Sequence, residues 1–260
     1  MRRIGIDVGG TNTDAVLLDG ARVVHAVERE QRAVLVIGRA EISQPYMGLG
    51  VEALRQCRGD ARLGGIAAAL ESEELAAAVS MGVNRTIEVA VIEWAEEQRV
   101  VVPWTVLHGR ADLTALASRV RGASRSWVHT MTNPGGCITA AENLFGAEPV
   151  PADRRVIDVS GDGRQNTGEL GTAEARDAAV SHAVTVNGLP ITCGDEPELD
   201  DWYRTNVIGG PGAFLMVANG YEAFAEAFRQ KLALEVAGLA PGSEMAAGST
   251  RWLRPDRATD

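Results

Sequence analysis

One carboxylate stands at the end of a short β-favouring run, with a glycine on either side. Residues 156–159 (VIDV) lead directly into Ser160-Gly161-Asp162-Gly163. Ligands of open α/β sheets collect at the carboxyl ends of the strands, so Asp162 is the best-placed ligand-binding group in the chain. The two flanking glycines are expected to let the backbone turn sharply and approach whatever Asp162 holds.

The elements that must position Asp162 are predicted from hydrophobic periodicity and turn residues. The predicted strands are Ile4–Val8, Ala15–Leu18, Ala21–Val27, Ala33–Ile37, Thr86–Trp94, Arg99–Leu107, Arg155–Ser160, Ala183–Leu189 and Phe214–Ala218. The predicted helices are two within Val51–Ser80, broken near Gly64-Gly65, then Ala111–Val120, Cys137–Phe145, Gly171–His182, Leu199–Thr205 and Tyr221–Ala237. Strand and helix alternate from about residue 86 to 237, which predicts an α/β fold of three layers (α/β/α, Rossmann-like) with a mostly parallel central sheet.

Three segments are expected along the chain. Residues 1–50 form a β-hairpin segment that is poorly integrated with the rest, and residues 51–238 form the α/β domain. Residues 239–260, rich in Gly, Ser, Arg and Asp from Pro241 onward, are expected to be a disordered tail.

Charge and composition narrow the function classes. The 260 residues carry a formal net charge of −10, which argues against nucleic-acid binding through the phosphate backbone and is compatible with binding cations. The three cysteines form no CxxC or Cys/His spacing, which favours a reducing compartment over a zinc site. Neither a signal peptide nor a transmembrane span is found, so a cytoplasmic location is expected.

Several segments, in order, resemble the bacterial von Willebrand factor type A-like domains of unknown function, over about residues 60–238. They are GGIAAALESEELAAAV (64–79, the weakest), IEVAVIEWAEEQRVVVPWTVL (87–107), TNPGGCITAAENLF (132–145), RRVIDVSGDGRQNTG (154–168), VNGLPI (186–191) and DDWYRTNVIGGPGAFLMVA (200–218). The resemblance implies a von Willebrand factor A-like fold and a role in binding other proteins.

In this family a metal-ion-dependent adhesion site takes ligands from three loops: an Asp-x-Ser-x-Ser loop, a Thr and an Asp. The resemblance implies that Asp162 is the third-loop Asp and Thr132 the second-loop Thr, with Thr130 as a nearby alternative. Mg²⁺ or Mn²⁺ prefers such carboxylate and hydroxyl oxygens, and an acidic group of a partner protein would fill the open position. The alternative is that Asp162 is only a turn carboxylate.

The first loop of that site is missing, because no Asp-x-Ser-x-Ser sequence occurs in the chain. Three positions are considered for its equivalent. Counting back from the first helix leads to Leu49–Ala53, and the strand Ala33–Ile37 leads to Arg39-Ala40-Glu41-Ile42-Ser43. The third is Asp7-Val8-Gly9-Gly10-Thr11, in which Asp7 and Thr11 would supply metal-binding oxygens.

The N-terminus has a second resemblance. The stretch RIGIDVGGTNTDAVLLDG (3–20) is similar to the opening of hydantoinase/oxoprolinase proteins, within the actin-like ATPase group. That resemblance implies ATP and magnesium, with the phosphates bound at Gly9, Gly10, Thr11 and Thr13, because N–H groups in a glycine turn form an anion-binding concavity. The alternative is a surface hairpin whose glycines serve turn geometry, and the pairing of two unrelated resemblances is typical of a mosaic, a reading-frame error or an artificial sequence.

The favoured function is a non-enzymatic, metal-dependent module that binds an acidic group of a partner protein. No Ser/His/Asp constellation surrounds any of the four histidines, and His129, beside Thr130, is expected to be structural. Two alternatives stay open: an ATPase-like activity carried by residues 7–14, and a metal-free interaction scaffold. The oligomeric state is not determined by the sequence.

Overall fold

The computed structural model describes residues 2–7, 14–19, 22–26, 31–38, 60–81, 86–123, 131–145, 154–192, 196 and 198–236. The strands are β1 (Arg2–Asp7), β2 (Asp14–Asp19), β3 (Arg22–Ala26), β4 (Gln31–Gly38), β5 (Ile87–Trp94), β6 (Gln98–Leu107), β7 (Arg154–Gly161), β8 (Val184–Thr192) and β9 (Ala218–Asn219). The helices are α1 (Asp60–Leu70), α2 (Glu73–Met81), α3 (Arg110–Arg121), α4 (Pro134–Phe145), α5 (Thr172–Ser181), α6 (Leu199–Asn206) and α7 (Tyr221–Val236).

Six strands form one sheet in the order β6-β5-β4-β7-β8-β9. All neighbouring pairs are parallel except β5 and β6, which form an antiparallel hairpin. Strands β5, β7 and β8 are buried along nearly their whole length, as expected when helices cover both faces of a sheet. The predicted mostly parallel sheet is therefore confirmed.

Two hydrophobic cores lie on opposite faces of this sheet, which gives the three predicted layers. One core contains apolar side chains of α1, α2, α3 and α7, including Leu70, Leu75, Leu113 and Phe228. The other contains those of α4, α5 and α6. Within the described part of the chain, no helix combines the length and apolar character needed to cross a membrane.

The strand predicted at Ala33–Ile37 is the centre of the fold. It is β4, which pairs in parallel with β5 on one side and β7 on the other. The predicted boundary at residue 50 would separate β4 from both partners. We therefore propose that the α/β domain includes β4 and that the N-terminal segment ends between β3 and β4.

Strands β1, β2 and β3 form a separate antiparallel sheet at the three predicted positions. Asp7 ends β1 and is paired with Asp14 at the start of β2. Residues 8–13, and the tail predicted to be disordered, lie outside the described residues.

Two local predictions are wrong. The break between α1 and α2 falls at Glu71-Ser72, not at Gly64-Gly65, and a Cβ on Gly65 would come within 3.1 Å of the Phe224 ring. Gly65 thus serves the close approach of α1 and α7 rather than a helix break. The strand predicted at Phe214–Ala218 is reduced to the two residues of β9, Ala218–Asn219, and is preceded by an isolated β-bridge between Gly188 and Leu215.

Candidate functional site

The strands around Asp162 end level with one another at one edge of the sheet. Gly38 at the end of β4 pairs with Trp94 at the end of β5, and Ile37 pairs with Ser160. On the other side of β7, Gly161 pairs with Pro190 of β8. Asp162 therefore begins a loop at the carboxyl edge of the sheet, where the sequence predicted a ligand-binding group.

The order of the strands shows which of the three positions considered for the missing first loop follows a strand next to β7. The strand beside β7 is β4, and the sequence that follows it is Arg39-Ala40-Glu41-Ile42-Ser43. These five residues and Leu49–Ala53 lie outside the described residues. Asp7 ends a strand of the three-stranded sheet, and Thr11 is outside the described residues, as are Gly9, Gly10 and Thr13.

Thr132 lies against the loop that Asp162 begins. The Thr132 backbone N–H donates to Asn166 Oδ1 at 2.7 Å, and the Asn166 N–H donates back to the Thr132 carbonyl at 3.0 Å. Thr132 is buried, whereas Asp162 is partly exposed. The two predicted metal-ligand residues thus lie on loops that are joined by a reciprocal pair of hydrogen bonds.

Asn133 joins the Thr132 loop to the β5–β6 turn. Its N–H donates to the Ala95 carbonyl at 3.0 Å, and its side-chain Nδ2 donates to the Glu96 carbonyl at 3.3 Å. The same side chain accepts the Gly136 N–H through Oδ1 at 2.9 Å, so Asn133 caps α4 and Pro134 takes the first helical position. The helix predicted to begin at Cys137 therefore begins at Pro134.

The Gln165 side chain forms hydrogen bonds within the Asp162 loop and to the first residue of α5. Its Nε2 donates to the carbonyls of Thr167 and Leu170, and its Oε1 accepts the Thr172 hydroxyl at 2.5 Å. Together with Asn166, it makes the polar stretch after Asp162 a fixed loop rather than a free one. This loop geometry follows from side-chain amides that bind backbone groups.

Glycines in this region serve close packing, and neither Gly161 nor Gly163, which flank Asp162, has a positive φ. The glycine with positive φ in this loop is Gly168, at φ +95°, where an added Cβ would lie 2.5 Å from Asn133 Oδ1. An added Cβ on Gly161 would lie 2.7 Å from Tyr203 Oη and 3.1 Å from the Trp94 ring. Gly161 therefore admits two buried aromatic side chains directly beneath the Asp162 loop.

An ion-paired arginine connects the Asp162 loop to the residues that follow β8. Arg164 Nε lies 2.9 Å from Glu196 Oε2, and Arg164 Nη2 lies 3.6 Å from Glu198 Oε2. The Arg164 and Glu198 side chains are well exposed, so these pairs contribute little to folding stability.

The sequence reasoning found Asp162 and Thr132 but missed the residues that join their loops. The sequence alone assigns no role to Asn133, Gln165 or Asn166. The one local signal was Asn133-Pro134-Gly135, which is typical of a helix start. His129 and Thr130 lie outside the described residues.

The donor set suits a hard cation. A carboxylate on Asp162 and a hydroxyl on Thr132 are oxygen ligands of the kind that Mg²⁺ and Mn²⁺ prefer, and Mg²⁺ commonly keeps several waters beside one or two protein oxygens. In the part of the chain that the structure describes, no three His, Cys, Asp or Glu side chains form a metal-binding group.

Solved structures share this fold. The chain matches the PilB minor pilin from Streptococcus sanguinis (TM-score 0.56, 10% identity, 93% of this chain and 80% of that one). It matches proximal thread matrix protein 1 from the mussel byssus (TM-score 0.55, 16% identity, 81% of this chain and 49% of that one). It also matches a von Willebrand factor type A structure from Catenulispora acidiphila (TM-score 0.49, 16% identity, 87% and 46%).

A second structure of the mussel protein, with a zinc-occupied MIDAS motif (the metal-ion-dependent adhesion site), matches at TM-score 0.52 and 12% identity over 80% of this chain and 46% of that one. The chain spans about half the length of the mussel protein. At these identities the likeness concerns the fold alone. The described strands and helices form a three-layer α/β domain of the fold that these structures share, the von Willebrand factor A-like fold.

The chain belongs to the family described as "Protein of unknown function (DUF1194)", whose model matches residues 59–240. No curated protein matches the chain. The resemblance of residues 3–20 to hydantoinase/oxoprolinase proteins finds no support, because the family match begins only at residue 59 and the structural matches reported above are of another kind.

Proposed function

We propose that this protein is a binding module that uses Asp162 and Thr132 to hold a divalent cation, Mg²⁺ or Mn²⁺, at the carboxyl edge of its sheet. The cation would accept an acidic group from a partner protein. The single observation that carries the proposal is the reciprocal hydrogen bonding between Thr132 and Asn166, because it holds the loops of both oxygen ligands together. Ligand groups fixed before binding lose less entropy when the cation arrives.

The position of these loops supports the same function. They lie where β4, β5, β7 and β8 all end, which is where open α/β sheets bind their ligands. The zinc-occupied adhesion motif of the mussel protein is consistent with a cation in a fold of this kind. The sequence after β4, Arg39-Ala40-Glu41-Ile42-Ser43, offers one acidic side chain and one hydroxyl as further donors.

Thermal melting in the presence of MgCl₂ or MnCl₂ tests the cation. A cation that binds only the folded state stabilises it by about 2.7 kcal/mol at 100 times its Kd, which raises the Tm of a domain of this size by about 5–10 °C. Asp162→Asn should abolish this increase. Asp177→Asn is the matched control, since Asp177 is an exposed carboxylate on α5.

Two outcomes would contradict the proposal. If Asp162→Asn keeps the full increase in Tm, the cation binds elsewhere. If neither cation raises the Tm of the wild-type protein at millimolar concentration, the protein holds no such cation and the metal-free alternative is favoured.

Peptide binding tests the partner. Immobilised peptides that present one Asp or Glu should be retained in Mg²⁺ or Mn²⁺ and released by a chelator, while their Asn or Gln counterparts should not be retained. Equal retention of the acidic and amide peptides would contradict recognition of an acidic group, even if the cation binds.

A further inference from the structure

A group of charged and polar side chains lies buried between α7 and the sheet, away from the Asp162 loop. Asp158 of β7, Asn187 of β8 and Lys231 and Glu235 of α7 are each at most 4% exposed. Lys231 Nζ lies 2.5 Å from Asp158 Oδ1 and also contacts Glu235 Oε1. One ammonium group is therefore shared between two carboxylates inside the core.

Neutral groups complete this cluster. Asn187 Nδ2 donates to Glu235 Oε1 at 2.6 Å, and Asn187 Oδ1 accepts the Phe214 N–H at 2.9 Å. The Lys231 ammonium lies 5.1 Å from the centroid of the Phe214 ring, within the range of a cation–π contact. The cluster thus joins α7 to β7, to β8 and to the segment before β9.

The fully buried charges of the cluster do not balance. Asp158 and Glu235 are acidic, and Lys231 is the base that lies fully buried with them among the described residues. Arg154 lies partly buried at the rim of the cluster, where Nη1 donates to the Glu235 backbone carbonyl at 3.1 Å and the guanidinium charge attracts that of Glu235. Asp158 Oδ2 and Glu235 Oε2 accept no hydrogen bond from a donor group of the described residues, and the two carboxyl groups are close enough for a proton on one to be shared with the other.

We infer that Asp158, Asn187, Lys231 and Glu235 form a proton-sensitive latch that holds α7 against the sheet. With one proton on its carboxyl groups the latch is electrically neutral, and its burial is least costly. Without that proton, the fully buried groups carry one net negative charge beneath α7, which is offset only from the rim by the partly buried Arg154. The latch is therefore strongest when it holds one proton and weaker when it has lost it.

The acid–base properties of Asp158 support this inference. Burial raises the pKa of Asp158 from 3.8 to about 7, with the Glu235 charge acting in the same direction and Lys231 opposing both. Between about pH 4 and 7, Asp158 is protonated while α7 is docked on the sheet, whereas an Asp158 exposed to water by release of α7 would be ionised. Docking of α7 is thus strongest at the acidic end of this range, weakens as the pH rises to about 7, and changes little above it.

Hydrogen exchange of the α7 amides, corrected for the intrinsic exchange rate, tests the latch between pH 4.5 and 8. In the wild-type protein the opening constant of α7 should increase by up to about tenfold per pH unit below pH 7, the slope for one proton, and level off above it. Asp158→Asn should remove this slope. Glu222→Gln, an exposed change on the same helix, should retain it.

Unequal slopes between wild type and Asp158→Asn would support the latch, and equal slopes would overturn it. If Asp158→Asn does not fold, Glu235→Gln decides instead, because it removes the surplus negative charge and keeps the Asp158–Lys231 pair. A slope in Glu235→Gln as steep as that of the wild type would then overturn the inference.

Discussion

Two aspartates lie four residues apart, Asp158 within β7 and Asp162 at the start of the loop that follows it, and the structure gives them opposite surroundings. Asp158 is buried against an ammonium group and a second carboxylate beneath α7. Asp162 is partly exposed at the carboxyl edge, in a loop tied by neutral hydrogen bonds. The same stretch of chain thus places one carboxylate inside the core and the next at the edge of the sheet, where solvent and a ligand can reach it.

The two regions also differ in how their contacts stabilise the fold. Charges in the α7 latch are removed from water, so the loss of one partner leaves an uncompensated buried charge. Contacts around Asp162 are mostly side-chain amides bound to backbone groups, each of which contributes about 1 kcal/mol. Substitutions in the latch should therefore cost more stability than substitutions in the Asp162 loop.

The largest effect is expected from Lys231→Met. It leaves Asp158 and Glu235 buried without their shared ammonium, so the free energy of unfolding should fall by about 3–5 kcal/mol. Urea denaturation measures this change. Arg204→Met, which removes an exposed cation, should cost less than about 1 kcal/mol. A loss no larger in Lys231→Met than in Arg204→Met would show that the latch does not stabilise the fold.

Gly168→Ala should have the next largest effect. The new side chain would be strained at φ +95° and would meet Asn133 Oδ1 at 2.5 Å, so a loss of about 2–3 kcal/mol is expected. Gly212→Ala is the matched control, since φ is +69° there and nothing lies within 4 Å of the added Cβ. Equal losses in the two variants would show that packing against Asn133 adds nothing.

Asn166→Ala removes the side chain that accepts the Thr132 N–H. We expect a loss of about 1–2 kcal/mol in the free energy of unfolding, together with a smaller increase in Tm on adding Mn²⁺. Asn206→Ala removes a comparable side-chain hydrogen bond at the end of α6 and should leave the Mn²⁺ effect unchanged. If Mn²⁺ raises the Tm of Asn166→Ala as much as that of the wild-type protein, cation binding does not depend on the hydrogen bond between Asn166 and Thr132.

Asp162→Asn should have the smallest effect on the metal-free protein. Because Asp162 is partly exposed, its replacement by the amide of similar shape should change the free energy of unfolding by about 0.5 kcal/mol or less in a chelator. Denaturation in EDTA measures this. A loss above about 2 kcal/mol would assign Asp162 a structural role and weaken the contrast with Asp158.

Much of the fold could be predicted because its signals are local. The strand that ends at Asp162 and the apolar stripe of α7, with Phe224, Phe228 and Leu232, follow from periodicity and turn residues. The central place of β4 could not be predicted, since strand order depends on pairing with β5 and β7, which are distant in sequence.

The site was predictable only in part. Asp162 stood out because a carboxylate followed a strand, whereas Asn166 gained its role from Thr132, 34 residues earlier in the chain. Lys231 and Glu235 interrupt an apolar helix face, and their burial depends on Asp158 across the core. Polar residues inside buried strands, Asp158 and Asn187, were the available signal for the latch.

The most direct test of the central claim is a titration with Mn²⁺ followed by electron paramagnetic resonance, which measures free and bound ion without reference to stability. We predict that the wild-type protein and Asp177→Asn each bind one Mn²⁺ and that Asp162→Asn binds none. Binding of Mn²⁺ by Asp162→Asn with wild-type affinity would contradict the account.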